Sequence, residues 1–192
     1  MKALRLATIA AFLGILQLTR AWGDPAPAVQ PAASVGEVRV QTLKGYSYAY
    51  VSTQTTLNKI QDAISLLLPK IDAAMDSGAL RPVGPVVFTY HGVTGQRDTP
   101  FTLDIGIIVK DKGTKPDGFQ MDAVPAEQCA TVIYSGPVSQ VQQAYAKLFG
   151  EIGRRGLQPT GVTREVYLYW EDDGSENNIV QIQAVLPSAP GN

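Results

Sequence analysis

Two stretches of this chain carry the same helical stripe 81 residues apart. Ile60, Ala63, Ile64, Leu67, Leu68 and Ile71 fall at steps of three and four, and Val141, Ala144, Tyr145, Leu148, Phe149 and Ile152 repeat that spacing position for position. Each stripe is one apolar face of an amphipathic helix. Taken alone the match decides little, because any two amphipathic helices can be slid into register. The flanking segments decide it. Ala49 meets Ala130 at the same offset, Val87 and Phe88 meet Tyr167 and Leu168 at 80, and Ile105, Ile108 and Val109 meet Ile182, Val185 and Leu186 at 77. The chain reads as a duplication.

Each copy reads as strand, helix, strand, strand. VRVQTLKGYSYAYVS (38–52) is rich in valine and tyrosine and predicts one strand. A helix follows over the first stripe, stopped by Gly78, with Pro69 expected to kink or split it. PVVFTYHG (85–92) and FTLDIGIIV (101–109) predict a strand pair. The second copy opens with the strand AEQCATVIYSG (126–136) and closes with EVYLYW (165–170) and NIVQIQAVLP (178–187), joined through the turn-rich EDDGSEN. The fold class is therefore α+β. The repeats span about 37–110 and 119–187, each a small antiparallel sheet with a helix on one face. A sheet covered on one face must bury the other. The two copies are expected to pack around a central cleft lined by strand residues that do not face the helices.

The amino-terminal 23 residues differ in kind. Lys2 and Arg5 precede 13 uncharged, mostly apolar residues, LATIAAFLGILQL (6–18), and small residues follow at Ala21 and Gly23. That pattern describes a secretory signal peptide, and the run is shorter than the roughly 20 residues of a membrane span. Two fates are open to it, cleavage before Asp24 or retention as an anchor, and its length favours cleavage. The expected location is periplasmic or secreted. Residues 24–36, rich in proline and alanine, read as a flexible segment, 37–187 as the globular domain, and 188–192 as a tail. Cleavage leaves 13 lysines and arginines against 17 acids, a net charge of −4. A mildly acidic exported domain is a poor nucleic-acid binder.

The stretch TREVYLYW (163–170) raises the functional question. Strand alternation places Glu165, Tyr167 and Tyr169 on one face and Val166, Leu168 and Trp170 on the other. A bare buried carboxylate costs several kcal/mol. Glu165 is thus either an exposed acid at a strand start or the polar anchor of an aromatic pocket. In the first strand, Ala49 is small enough to lie under a helix, which turns Tyr48 and Tyr50 toward the expected cleft. Tyr90 occupies the place in the first copy that Trp170 holds in the second. His91 stands at a strand end and reads as a surface residue. Cys129, the single cysteine, reads as a buried inert thiol. Glu171, Asp172 and Asp173 lack the alternating ligand spacing of a calcium loop. No metal and no cofactor are expected.

YSGP (134–137), AYAKL (144–148), RRGL (154–157), EVYLYW and VQIQAVLP (180–187) together resemble the GyrI-like effector-binding domain, the small-molecule module of AraC-type and MerR-type regulators, related to the SOUL haem-binding fold. The resemblance covers about 37–187. It implies two repeats around a hydrophobic cleft, with Glu165 contacting a small hydrophobic, often cationic, ligand among aromatics: Tyr167, Tyr169, Tyr48, Tyr50 and Tyr90. It also implies an alternative, since some members hydrolyse strained-ring compounds with the matching glutamate, which would make Glu165 a general base. A haem reading through His91 is the weakest. Glu127 stands where relatives often carry a small residue. No helix-turn-helix segment occurs in the sequence, so a stand-alone exported binding domain is expected.

Overall fold

The structure, a computed structural model, describes residues 33–110 and 115–187. The expected signal peptide (1–23), most of the proline-rich segment and the tail lie outside the described residues. The elements are β1 (Ser34–Val35), β2 (Arg39–Leu43), β3 (Tyr46–Thr55), α1 (Ile60–Asp76), β4 (Pro82–His91), β5 (Phe101–Val109), β6 (Gln120–Val124), β7 (Glu127–Ser135), α2 (Gln142–Arg154), β8 (Val162–Tyr169) and β9 (Ile179–Val185). The α+β class and the duplication stand. The segment expected to be one strand over 38–52 is two, β2 and β3, and the copy of β2 is β6, which the sequence pattern did not reveal. Ser34 and Val35, expected within the flexible segment, pair with Ser135 and Tyr134 of β7.

The two halves join edge to edge. At the centre β4 pairs antiparallel with β8, Val86 opposite Tyr167 and Val87 opposite Val166. Outward from that pair run β5 and β3 on one side and β9 and β7 on the other. The far ends then meet. β2 pairs with β7 from Arg39–Thr131 to Leu43–Glu127, and β3 pairs with β6 from Tyr46–Val124 to Tyr50–Gln120, in a single register. Because β2 runs into β3 and β6 into β7, the hydrogen-bonded path returns to its own start and the sheet closes into a ring. Closure gives each of the long strands a partner on both sides over at least part of its length. The crossing point needs a glycine. A Cβ on Gly45 would lie 2.6 Å from the Val124 carbonyl oxygen.

The ring has two faces with different occupants. Ala49, Val51, Phe88, Leu103, Ile105, Ala130, Val132 and Ile182 face outward and form the main core with the buried stripes of α1 and α2. The inward face carries a smaller cluster of Tyr48, Tyr50, Val87 and Val166, together with buried polar groups including Asp104, Thr131, Arg164 and Gln183. Inside, the Arg164 guanidinium donates to Glu127 at 2.7 Å. Cys129 is fully buried there, and burial pushes its thiol up to about 11.

Helix α1 packs over β3 and β5, and α2 over β7. These are the outer strands of each half, so the β4–β8 pair lies between the helices. Pro69 neither splits nor ends α1, which runs unbroken through it. It sits on the exposed side of the helix, where water can solvate the carbonyl that loses its amide partner.

Candidate functional site

Glu165 stands on β8 directly between Phe88 of β4 and Ile182 of β9, both fully buried. Its side chain points to the face that carries the helices, not to the opposite face where the cleft was expected. The closed ring explains the difference. Each half turns its uncovered face inward, and Glu165 lies on the outer face, on the β4–β8 pair between the strands that α1 and α2 cover.

In that setting the carboxylate is 8% exposed. It is not bare. Tyr90 of β4 donates to Oε2 at 2.8 Å, Tyr167 of β8 donates to the same oxygen at 2.7 Å, and Tyr145 of α2 donates to Oε1 at 2.6 Å. Three phenols from three elements thus converge on one anion. Burial, followed by the charge of Glu165, holds all three phenols well above the usual tyrosine range, so they stay protonated and remain donors. Among the described residues no lysine, arginine or histidine pairs with Glu165. The site therefore holds a negative charge stabilised by dipoles alone, in aromatic surroundings.

The aromatic packing continues outward. The Phe88 and Tyr167 ring centres are 4.9 Å apart, Tyr90 and Phe101 lie at 6.2 Å, and Tyr145 stacks on Phe149 at 6.4 Å. Phe149 is 40% exposed at the outer end of this series. Trp170 packs edge-on against Tyr167 at 5.4 Å.

Of the candidate residues, the structure brings together Glu165, Tyr167 and Tyr90. Tyr48 and Tyr50 are elsewhere. They stack on each other at 4.9 Å on the inward face of the ring, Tyr48 donating to the Val87 carbonyl at 2.7 Å and Tyr50 to Asp122 at 2.5 Å. Neither reaches Glu165. Tyr169 is half exposed and donates to Glu171 at 2.9 Å. A register shift between Tyr167 and Tyr169 against β9 inserts Leu168 as an extra residue. This bulge reverses the alternation beyond it and brings Trp170, expected on the opposite face, beside Tyr167. His91 is partly exposed and pairs with Asp104 at 2.7 Å. No cluster of three metal-ligating side chains occurs among the described residues.

Tyr145 was missed as a site residue. In the stripe it reads as one more core position. The available signal was its partner in the first copy, Ile64, since only the second copy puts a hydroxyl there.

A family model described as a GyrI-like small molecule binding domain matches residues 36–184. No curated protein sequence matches the chain. Among solved structures the chain is similar to the C-terminal domain of EcmrR, with a TM-score of 0.62 at 19% identity over 80% of this chain and 98% of that one. It is similar also to EcmrR in its DNA complex, with a TM-score of 0.66 at 20% identity over 79% of this chain and 58% of that one, so it spans less than two thirds of that chain. SAV2435 bound to tetraphenylphosphonium superposes with a TM-score of 0.59 at 12% identity, over 79% of this chain and 94% of that one. At these identities the structural likeness shows the fold.

Proposed function

Since the chain belongs to the GyrI-like small-molecule-binding family, we propose that it takes up a lipophilic cation in the groove between α1 and α2, and does so outside the cytoplasm. One observation carries the proposal: a buried carboxylate with three phenol donors and no cation. Phenols neutralise part of the anion's field but supply no positive charge. A ligand cation supplies it, and the neighbouring aromatic faces add cation–π attraction worth roughly 1 to 2 kcal/mol per well-placed ring. The tetraphenylphosphonium complex of SAV2435 supports the same class of ligand. Export rests on Lys2, Arg5 and the apolar run after them.

Binding is favoured over hydrolysis by the same geometry. A general base needs a lone pair directed at the proton it takes. Here three of the carboxylate's roughly four acceptor sites already take phenol hydrogens, which leaves about one lone pair, on Oε1, for a proton.

The test is calorimetric titration of the protein with tetraphenylphosphonium and with neutral triphenylphosphine oxide. Saturable uptake of the cation, at least tenfold tighter than the oxide, is the expected result. Equal affinity for both would remove the role of the charge, and no binding of either would remove the ligand class.

A further inference from the structure

Trp170 is 3% exposed, and its indole Nε1 is buried with no acceptor. Buried indole N–H groups normally find a partner, and an unpaired one is a cost the fold carries. Two further features make this orphan informative. The bulge at Leu168 is what turns Trp170 to the Glu165 side of the sheet, and bulges near sites serve to re-aim side chains. The indole also packs edge-on against Tyr167, whose hydroxyl donates to Glu165. The indole that carries the unpaired donor thus packs against a ring that holds the charged anchor.

We propose that Trp170 is a specificity-determining residue that donates a hydrogen bond to an acceptor atom of the bound molecule. This rests on the reading of Glu165 as the anchor for a cation, and it narrows that ligand's chemistry. The molecule carries, besides its positive charge and apolar body, an ether, carbonyl or amide oxygen set to one side of the charge. A purely hydrocarbon-substituted cation satisfies Glu165 and the aromatic faces but leaves the Trp170 N–H orphaned.

The experiment uses the full chain and a matched panel: tetraphenylphosphonium, and triphenylphosphonium cations carrying a methoxy, acetyl or carboxamide group. Wild type, Trp170→Phe and Glu165→Gln are titrated with each, and the indole 15N–1H resonance lost in Trp170→Phe is followed on binding. At least one acceptor-bearing cation is expected to bind wild type about five- to tenfold tighter than tetraphenylphosphonium, the worth of one net hydrogen bond, with a downfield indole shift. Trp170→Phe should erase that preference, so that the acceptor-bearing cations and tetraphenylphosphonium bind the variant with affinities within about twofold of each other. A panel that binds in a Glu165-dependent way with no acceptor preference, or a Trp170→Phe variant that weakens every cation equally, overturns the role of Trp170 alone. If no member binds wild type, the cation site falls and this proposal with it.

Discussion

Tyr145 of α2 donates its hydroxyl to Oε1 of Glu165 on β8 at 2.6 Å. Of the three phenols on this carboxylate it is the one that stands on a helix; the others come from strands. The bond therefore ties α2 to the central strand pair of the sheet. Replacing Tyr145 with phenylalanine should cost about 0.5 to 1.5 kcal/mol of stability, the net worth of one such bond. Affinity for a lipophilic cation should hold or rise, because the anion loses a competing donor. Urea denaturation and calorimetry check the two effects separately, and a tenfold loss of affinity would contradict the account.

Glu165→Gln tests the anchor from the other side. For a bare buried carboxylate, which costs the fold several kcal/mol, this change would leave stability level or raise it. The observed cluster reverses the expectation. An amide offers one acceptor oxygen where three phenols now donate, so at least one buried hydroxyl must turn away or go unpaired. A loss of roughly 1 to 3 kcal/mol in chemical denaturation is expected.

Tyr48 and Tyr50 provide the negative control. Both face into the ring, away from Glu165. Tyr48→Phe removes the bond to the Val87 carbonyl and should cost about 1 kcal/mol of stability. Cation affinity should stay within about twofold in Tyr48→Phe and Tyr50→Phe, since neither hydroxyl lies near the groove. A selective loss of binding in either would relocate the site to the ring interior.

The phenols also fix the alkaline limit. Tyr90, Tyr145 and Tyr167 are held well above their ordinary range, first by burial and then by Glu165, and burial pushes Tyr134 up to about 12. A raised folded-state value means that the unfolded chain releases its protons first. Stability from these groups is present below pH of about 10, where unfolded tyrosine titrates, and is lost as pH rises beyond it. Each of these three phenols removes about 1.4 kcal/mol per pH unit in that window. Tyrosinate absorbance should therefore appear largely in one cooperative step, coincident with loss of secondary structure. Gradual, independent ionisation near pH 10 would contradict the buried cluster.

Export makes its own prediction. The mature protein should begin at or near Asp24, after the small residues Ala21 and Gly23. N-terminal sequencing of the protein from its host decides it, and an intact Met1 on soluble cytoplasmic protein would overturn the proposed location.

The duplication was legible because a helical stripe and its flanking strands recur together, and independent elements seldom agree in register. Glu165 with Tyr167 was legible because alternation holds along the first part of β8. Beyond Tyr167 it failed, since a bulge leaves no mark in a run of apolar residues, and Trp170 was placed on the wrong face. Tyr48 and Tyr50 were misplaced for a different reason. Once the sheet closes, both of its faces are buried, and burial patterns no longer tell the helix side from the interior. Tyr145 was hidden by the tolerance of a helical stripe for any large, mostly apolar side chain. Closure itself depends on β2 and β6, short strands whose pairing links the two copies and has no local signature.

The most direct measurement is a crystal structure of the protein with tetraphenylphosphonium bound. The account places the phosphonium between α1 and α2, with Tyr145 or Tyr167 ring centres within about 6 Å of the cation and Glu165 as the nearest anion. Electron density for the cation inside the ring beside Tyr48 and Tyr50, or on the surface away from Glu165, would contradict it.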